Sequence, residues 1–188
     1  MVYLSQIDKA ILFFFNGLHT PLLDQVMLLI TGKFIWIPLY ILIVGLLMWK
    51  YKKASWLVIM ALVLAIAASD QFASTICKPT FKRLRPCHHE LLKSKLHIIN
   101  PAGGKYGFIS SHAANTFALA IFMILAFKEK RKWIGYPLVF WAGLVSLSRV
   151  YLGVHYPSDI FFGAISGIFW AWLFWKGFEK VESRRMVL

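Results

Sequence analysis

With 188 residues, 59% of them hydrophobic, and a mean hydropathy of +0.65, the chain is too apolar for a water-soluble domain. Its net charge of +13 calls for anionic partners, but the cations stand at the ends of apolar blocks and most aromatics lie inside them, which excludes nucleic acid and favours lipid headgroups. Two cysteines, Cys77 and Cys87, are too few for a disulfide framework and lack the spacing of a structural zinc site.

The apolar residues fall in long blocks, so the expected fold class is all-α: a polytopic membrane protein forming one domain over residues 1–188. No basic stretch precedes the first apolar run and no small-residue cleavage site follows it, so the N-terminus does not read as a removable signal peptide. Runs at 4–15 and 22–30 are interrupted by Asn16, Gly17, His19 and Pro21, a pattern that fits one broken span or an interfacial helix followed by a half-span. Five further stretches, roughly 34–49, 54–76, 108–127, 133–151 and 158–178, are long enough or nearly so to cross a bilayer. The sum is a six-span transmembrane helical bundle. Trp36, Trp49, Trp133, Tyr136 and Tyr151 stand near span ends, where interfacial aromatics anchor helices.

Orientation follows from the short connections. Lys50, Lys52 and Lys53, then Lys128, Lys130, Arg131 and Lys132, then Lys176, Lys180, Arg184 and Arg185 fall by parity on one side, which the positive-inside rule makes cytoplasmic. The opposite, outer side receives a connection of about 31 residues, 77–107, that is itself basic: Lys78, Lys82, Arg83, Arg85, Lys93, Lys95 and Lys105. Cations against the rule need a reason, and anion binding supplies one.

Three polar clusters share that side. Lys78 ends the third span, Arg85 follows seven residues later, and Pro86 ends any local helix. A guanidinium grips two phosphate oxygens through its planar fork and a lysine adds a point charge, although each alone also fits a surface cation. Ser110, Ser111 and His112 open the fourth span after Gly103, Gly104 and Gly107. Free N–H groups at a helix start bind anions, either serine also fits an ordinary N-cap, and His112 is placed to protonate a departing oxygen. Arg149 closes the fifth span, His155 follows beside Gly153 and Pro157, and Asp159 opens the sixth. Histidine attacks phosphorus only while neutral, with its second ring nitrogen donating to a partner, and Asp159 is four residues away. Ionisable groups this close to apolar spans are costly without a function.

The order Lys78, six residues, Arg85-Pro86; then Ser110-x-His112; then Ser148-Arg149, five residues, His155, three residues, Asp159 resembles the signature of the type 2 phosphatidic acid phosphatase and haloperoxidase superfamily. The likeness covers residues 78–159, with two departures: Ile109 stands where the family usually has proline, and Ser111 where it usually has glycine. The resemblance implies that Lys78, Arg85, Arg149, Ser110 and nearby amides, with Ser111, hold phosphate. It implies that His155 forms a phosphohistidine, that Asp159 orients it, and that His112 serves as acid and then as base. It implies no metal and no cofactor.

The expected activity is therefore that of a small bacterial lipid phosphatase of the cytoplasmic membrane, taking an anionic lipid at its outer, periplasmic face. With little soluble cap to recognise a large headgroup, and by what the family resemblance implies as much as by that, undecaprenyl diphosphate is the first expectation, followed by lipid A 1-phosphate, phosphatidylglycerol phosphate and phosphatidate. A haloperoxidase is disfavoured by the apolar spans, and a non-catalytic lipid-binding or transport protein by the complete set of catalytic residue types. Asp70, inside the third span, is expected to find a structural partner such as an arginine or a neighbouring helix amide. Cys87, His88 and His89 read as a loop face rather than metal ligands, and Gly163 and Gly167 as a helix-packing face within the chain.

Overall fold

A computed structural model describes residues 2–99, 103–128 and 132–185, and among these the chain is helical, with a single isolated β-bridge between Leu84 and Tyr106. The N-terminal region is a bent pair. α1 (Val2–Gly17) runs into α2 (Pro21–Thr31) at an angle of 117° between 6–17 and 21–31. Thr20 starts α2 from an extended backbone, its hydroxyl accepting from Leu23 N at 3.2 Å, and Pro21 supplies the preset first-turn φ.

Among the described residues a helical stretch, Phe34–Phe81, and a later one, Pro157–Arg184, are each long and apolar enough to cross a membrane; counting the bent pair as one span makes three. The first stretch reverses on itself. Lys52, at φ +47°, separates α3 (Ile37–Tyr51) from α4 (Ser55–Gln71), and Ile43 and Val44 then face Leu62 and Val63 across a common cavity. α4 continues through a π-helical segment, Phe72–Cys77, into α5 (Lys78–Phe81), five residues beyond the expected end of that span. Left-handed Lys82, at φ +48°, stops it. Pro86 therefore ends no helix; it opens a 3₁₀ turn, Pro86–His88, followed by α6 (Glu90–Lys93).

α7 (Ser111–Ala126), α8 (Gly135–Tyr151) and α9 (Pro157–Arg185) complete the bundle, α9 running past residue 178 to a length of about 43 Å. Its apolar core is built from Leu47, Val58, Ala65, Phe122, Met123 and Ala171, while Phe34, Ile41 and Phe140 point outward, Phe34 being 85% exposed. That outward apolar surface is what a bilayer covers. α7 and α9 meet closely because Gly163 and Gly167 leave no side chain between them: a β-carbon at Gly163 would lie 2.6 Å from Ser110 O, and one at Gly167 would strike Ala114 O.

The two ends of the bundle differ in chemistry. At one, Lys50 and Tyr51 both donate to Ala126 O, and Lys128 pairs with Glu179 at 2.5 Å. At the other stand Lys78, Ser110 to His112, Arg149, His155 and Asp159, so the three motifs share one end as parity requires. Lys130 and Arg131 lie outside the described residues.

Candidate active site

The turn between α8 and α9 is built around Gly153 at φ +68°, with Val154 N and His155 N both donating to Arg149 O, at 3.1 and 3.2 Å. This doubled bond fixes His155 relative to Arg149. In the first turn of α9, Asp159 Oδ2 lies 3.3 Å from His155 Nδ1 and accepts from Tyr156 N at 3.0 Å. His155 is 1% exposed and Asp159 0%.

Gly107 brings the first motif to the third. A β-carbon there would sit 3.0 Å from Arg85 Cγ, 3.2 Å from Asp159 Oδ2 and 3.4 Å from His155 Nδ1, so three groups spread over 75 positions surround one point. Gly103, at φ +118°, lies flat against the Arg85 guanidinium, where any β-carbon would come within 2.9 Å of three of its atoms. Arg85 Nε donates to Tyr106 O at 3.2 Å, leaving its buried Nη1 without a protein acceptor. Arg149 donates from Nη1 to Thr31 Oγ1 at 2.7 Å while its buried Nε also lacks one. Buried guanidinium donors without acceptors are the equipment of an anion pocket.

The second motif is tied in through the backbone, Ser110 N donating to Asp159 O at 2.9 Å. Ser110 caps α7, its buried hydroxyl accepting from Ala113 N at 3.5 Å, while Ser111 Oγ takes a bond from Lys78 Nζ at 2.7 Å and lies 3.2 Å from Ser74 Oγ. Both serine hydroxyls thus have partners inside the protein, and Lys78 is joined to the site through Ser111. His112 stands in the first turn of α7, where Arg149, His155, Lys33 and Arg85 all act on it electrostatically. Ser111 and His112 also form the polar end of a cavity of about 460 Å³ whose other walls include Ile43, Val63, Leu119 and Trp141.

Burial holds the His155 imidazole well below its ordinary value, at about 4; Asp159 opposes that shift and Arg85 and Arg149 add to it. The ring is therefore neutral at physiological pH, as a nitrogen nucleophile must be. Burial likewise lowers Arg85.

Asp70 finds the expected helix amide, accepting from Asn115 Nδ2 at 2.9 Å. Among the described residues no group of three or more His, Cys, Asp or Glu side chains could hold a metal ion, and Cys87 and His88 lie in the 3₁₀ turn. The structure adds residues that sequence reasoning passed over. Thr31 holds Arg149, and Asp8 and Ser158 join Arg83, which the sequence marks only as one of the outer cations, in a network behind Asp159. Of the three added residues, Asp8 carries a signal, as a carboxylate inside an apolar run.

The sequence pattern of the PAP2 superfamily matches residues 55–183, which include all three motifs. The chain belongs to the PAP2 superfamily. Over 97% of its length and 81% of the relative's, this PAP2 protein is 42% identical to lipid A 4'-phosphatase of Bacteroides thetaiotaomicron. It is 33% identical to the enzyme of the same name from Porphyromonas gingivalis over 98% and 78%. Its fold matches the crystal structure of a PAP2-type phosphatidylglycerolphosphate phosphatase from Bacillus subtilis with a TM-score of 0.73, at 24% identity, over 96% of this chain and 88% of that one. An undecaprenyl-diphosphatase of Sulfolobus acidocaldarius is more distant, 27% identical over 72% of this chain and 59% of its own. The PAP2 chain is accordingly a membrane lipid phosphatase, a phosphoric ester hydrolase. The comparisons support the expectation of undecaprenyl diphosphate less than its alternative, because the longer and more similar matches are to lipid A phosphatases, a class ranked second from sequence and there assigned to the 1-phosphate.

Proposed function

We propose that this chain removes the 4'-phosphate of lipid A through a phosphohistidine intermediate. Near-full-length similarity to two enzymes of that name supports the substrate, and the meeting of Arg85, Asp159 and His155 around Gly107 supports the chemistry. In this reading the bundle crosses the cytoplasmic membrane six times and opens the site at the periplasmic face.

The chain's own residues divide the reaction. Arg85, Arg149 and Lys78, with Ser110, Ser111 and the first amides of α7, surround the phosphoryl oxygens, where the charge of the transition state is spread. His155 Nε2 attacks phosphorus as its Nδ1–H donates to Asp159, forming a P–N bond while the P–O bond to the sugar breaks. His112 gives the leaving oxygen its proton. It then takes one from water, whose oxygen displaces His155 and releases inorganic phosphate. A sugar alkoxide is a poor leaving group, so the acid matters more for this monoester than for a diphosphate.

The deciding experiment is phosphate release by the purified chain in detergent from bis-phosphorylated lipid A and from undecaprenyl diphosphate, with the product mapped for the position lost. Loss from the 4' position, absent in His155→Ala, is the expected result. Faster turnover of the polyprenyl diphosphate, or loss of the 1-phosphate, would refute the substrate assignment.

A further inference from the structure

Behind the phosphate pocket lies a second polar cluster that the chemistry above leaves unused. Arg83 Nη1 donates to Asp159 Oδ1 at 2.7 Å and to Ser158 Oγ at 2.6 Å, and Nη2 donates to Asp8 Oδ2 at 2.6 Å. Its guanidinium carbon stands 4.1 Å from the centre of the Tyr156 ring. Asp8, buried in α1, also accepts from Ser158 N at 2.8 Å and from Ser158 Oγ at 2.5 Å.

We propose that Arg83 is a positioning residue for the nucleophile and that Asp8 anchors it, so that α1, which lies outside the matched region 55–183, is part of the catalytic apparatus. The inference rests on the phosphohistidine reading above. Two consequences of the geometry carry it. First, the two oxygens of Asp159 are divided: Arg83 pins Oδ1, which turns Oδ2 toward His155 Nδ1 and Tyr156 N. A carboxylate free to rotate would leave the imidazole without a fixed partner. Second, Arg83 is the cation between two buried carboxylates, Asp8 and Asp159. Both of its terminal nitrogens are bonded to protein, whereas Arg85 keeps a buried Nη1 without a protein acceptor. Lys78 and Arg85 also act on Asp159 from the phosphate side, and His155 and Tyr156 face it from the turn.

Without Arg83, Asp159 Oδ1 loses its partner and the carboxylate is free to turn, so Oδ2 no longer holds the proton on Nδ1. The imidazole proton is then free to sit on Nε2, the atom that has to attack, and the nucleophile is lost without any change in the pocket for phosphate.

The test uses the full chain in detergent with Arg83→Met, Arg83→Lys and Asp8→Asn. The readouts are kcat and KM, inhibition by inorganic phosphate, and the thermal unfolding midpoint. Arg83→Met is expected to lose about 10- to 100-fold in kcat, the scale of a lost supporting contact. Its KM and its inhibition by inorganic phosphate stay unchanged. Arg83→Lys recovers much of the rate, and Asp8→Asn loses part of it. A parallel loss of inorganic phosphate inhibition would make Arg83 a phosphate ligand and overturn the proposal. Activity that tracks the folded fraction in every variant, with no rescue by Arg83→Lys, would make it purely structural and overturn it equally. Failure of the phosphohistidine reading is read separately: turnover in His155→Ala would remove that reading whatever the Arg83 variants do.

Discussion

Gly163→Ala tests whether the α7–α9 contact sets the geometry of the site. The added β-carbon would lie 2.6 Å from Ser110 O and 3.1 Å from Ala113 Cβ, against 3.4 Å or more for ordinary contact, so the two helices must part by about 0.8 Å. The obstructing atom is backbone and cannot swing aside. Ser110 caps α7 and is bonded through its N–H to Asp159 O, so the movement falls between the second motif and the third. Overpacking of this kind costs about 1–3 kcal/mol, offset in part by about 1 kcal/mol of helix propensity gained on replacing glycine. Misplacement by about 1 Å can cost 10²-fold in rate, so kcat/KM for phosphate release should fall about 10- to 100-fold while the unfolding midpoint drops only a few degrees. Gly177→Ala is the control within the same helix, because a β-carbon there meets nothing within 4 Å. It should keep full activity and gain slightly in stability. If the two variants behave alike, or if Gly163→Ala is as active as the parent, the close contact does not position the site.

His155→Ala should abolish hydrolysis of every substrate, whereas His112→Ala should slow a monoester by about 10²–10⁴-fold and a lipid diphosphate much less. Equal losses on both would remove the acid role. The depressed His155 gives a pH signature in stability: between about 4 and 6.5 the unfolded chain binds a proton that the folded chain excludes. The contribution is complete above 6.5 and is lost as pH falls toward 4, with an upper limit of about 3 kcal/mol. Unfolding midpoints of the parent should therefore fall more steeply with acid than those of His155→Gln, and parallel curves would contradict the buried, neutral imidazole. Arg149→Lys removes both the fork and the bond to Thr31, and should lower kcat/KM by about 10-fold or more, with a smaller loss in Thr31→Val. A larger loss in Thr31→Val would contradict a direct role for Arg149.

Undecaprenyl diphosphate was favoured by the shortness of the chain, which leaves little room for a soluble cap. Yet a large headgroup needs no cap if it stays at the interface and presents one phosphate to a cup at the bundle end. Length therefore discriminates poorly between lipid classes.

Composition and block hydropathy were enough to specify a helical membrane protein, because a chain in lipid must satisfy its backbone bonds within each segment. Motif order and helix parity were enough to assign Lys78, Arg85, His112, Arg149, His155 and Asp159 to one end, because each sits next to a predictable helix terminus. Only the tertiary structure could decide which groups touch: that Gly107 admits Arg85 to the His155–Asp159 pair, that Ser111 binds Lys78, that Thr31 holds Arg149, and that Asp8 reaches Asp159 through Arg83. Those contacts join residues as many as 118 positions apart. Local periodicity fixes which way a helix faces its solvent, but pairing across the bundle depends on how all the helices pack at once, and glycines at 163 and 167 set that distance.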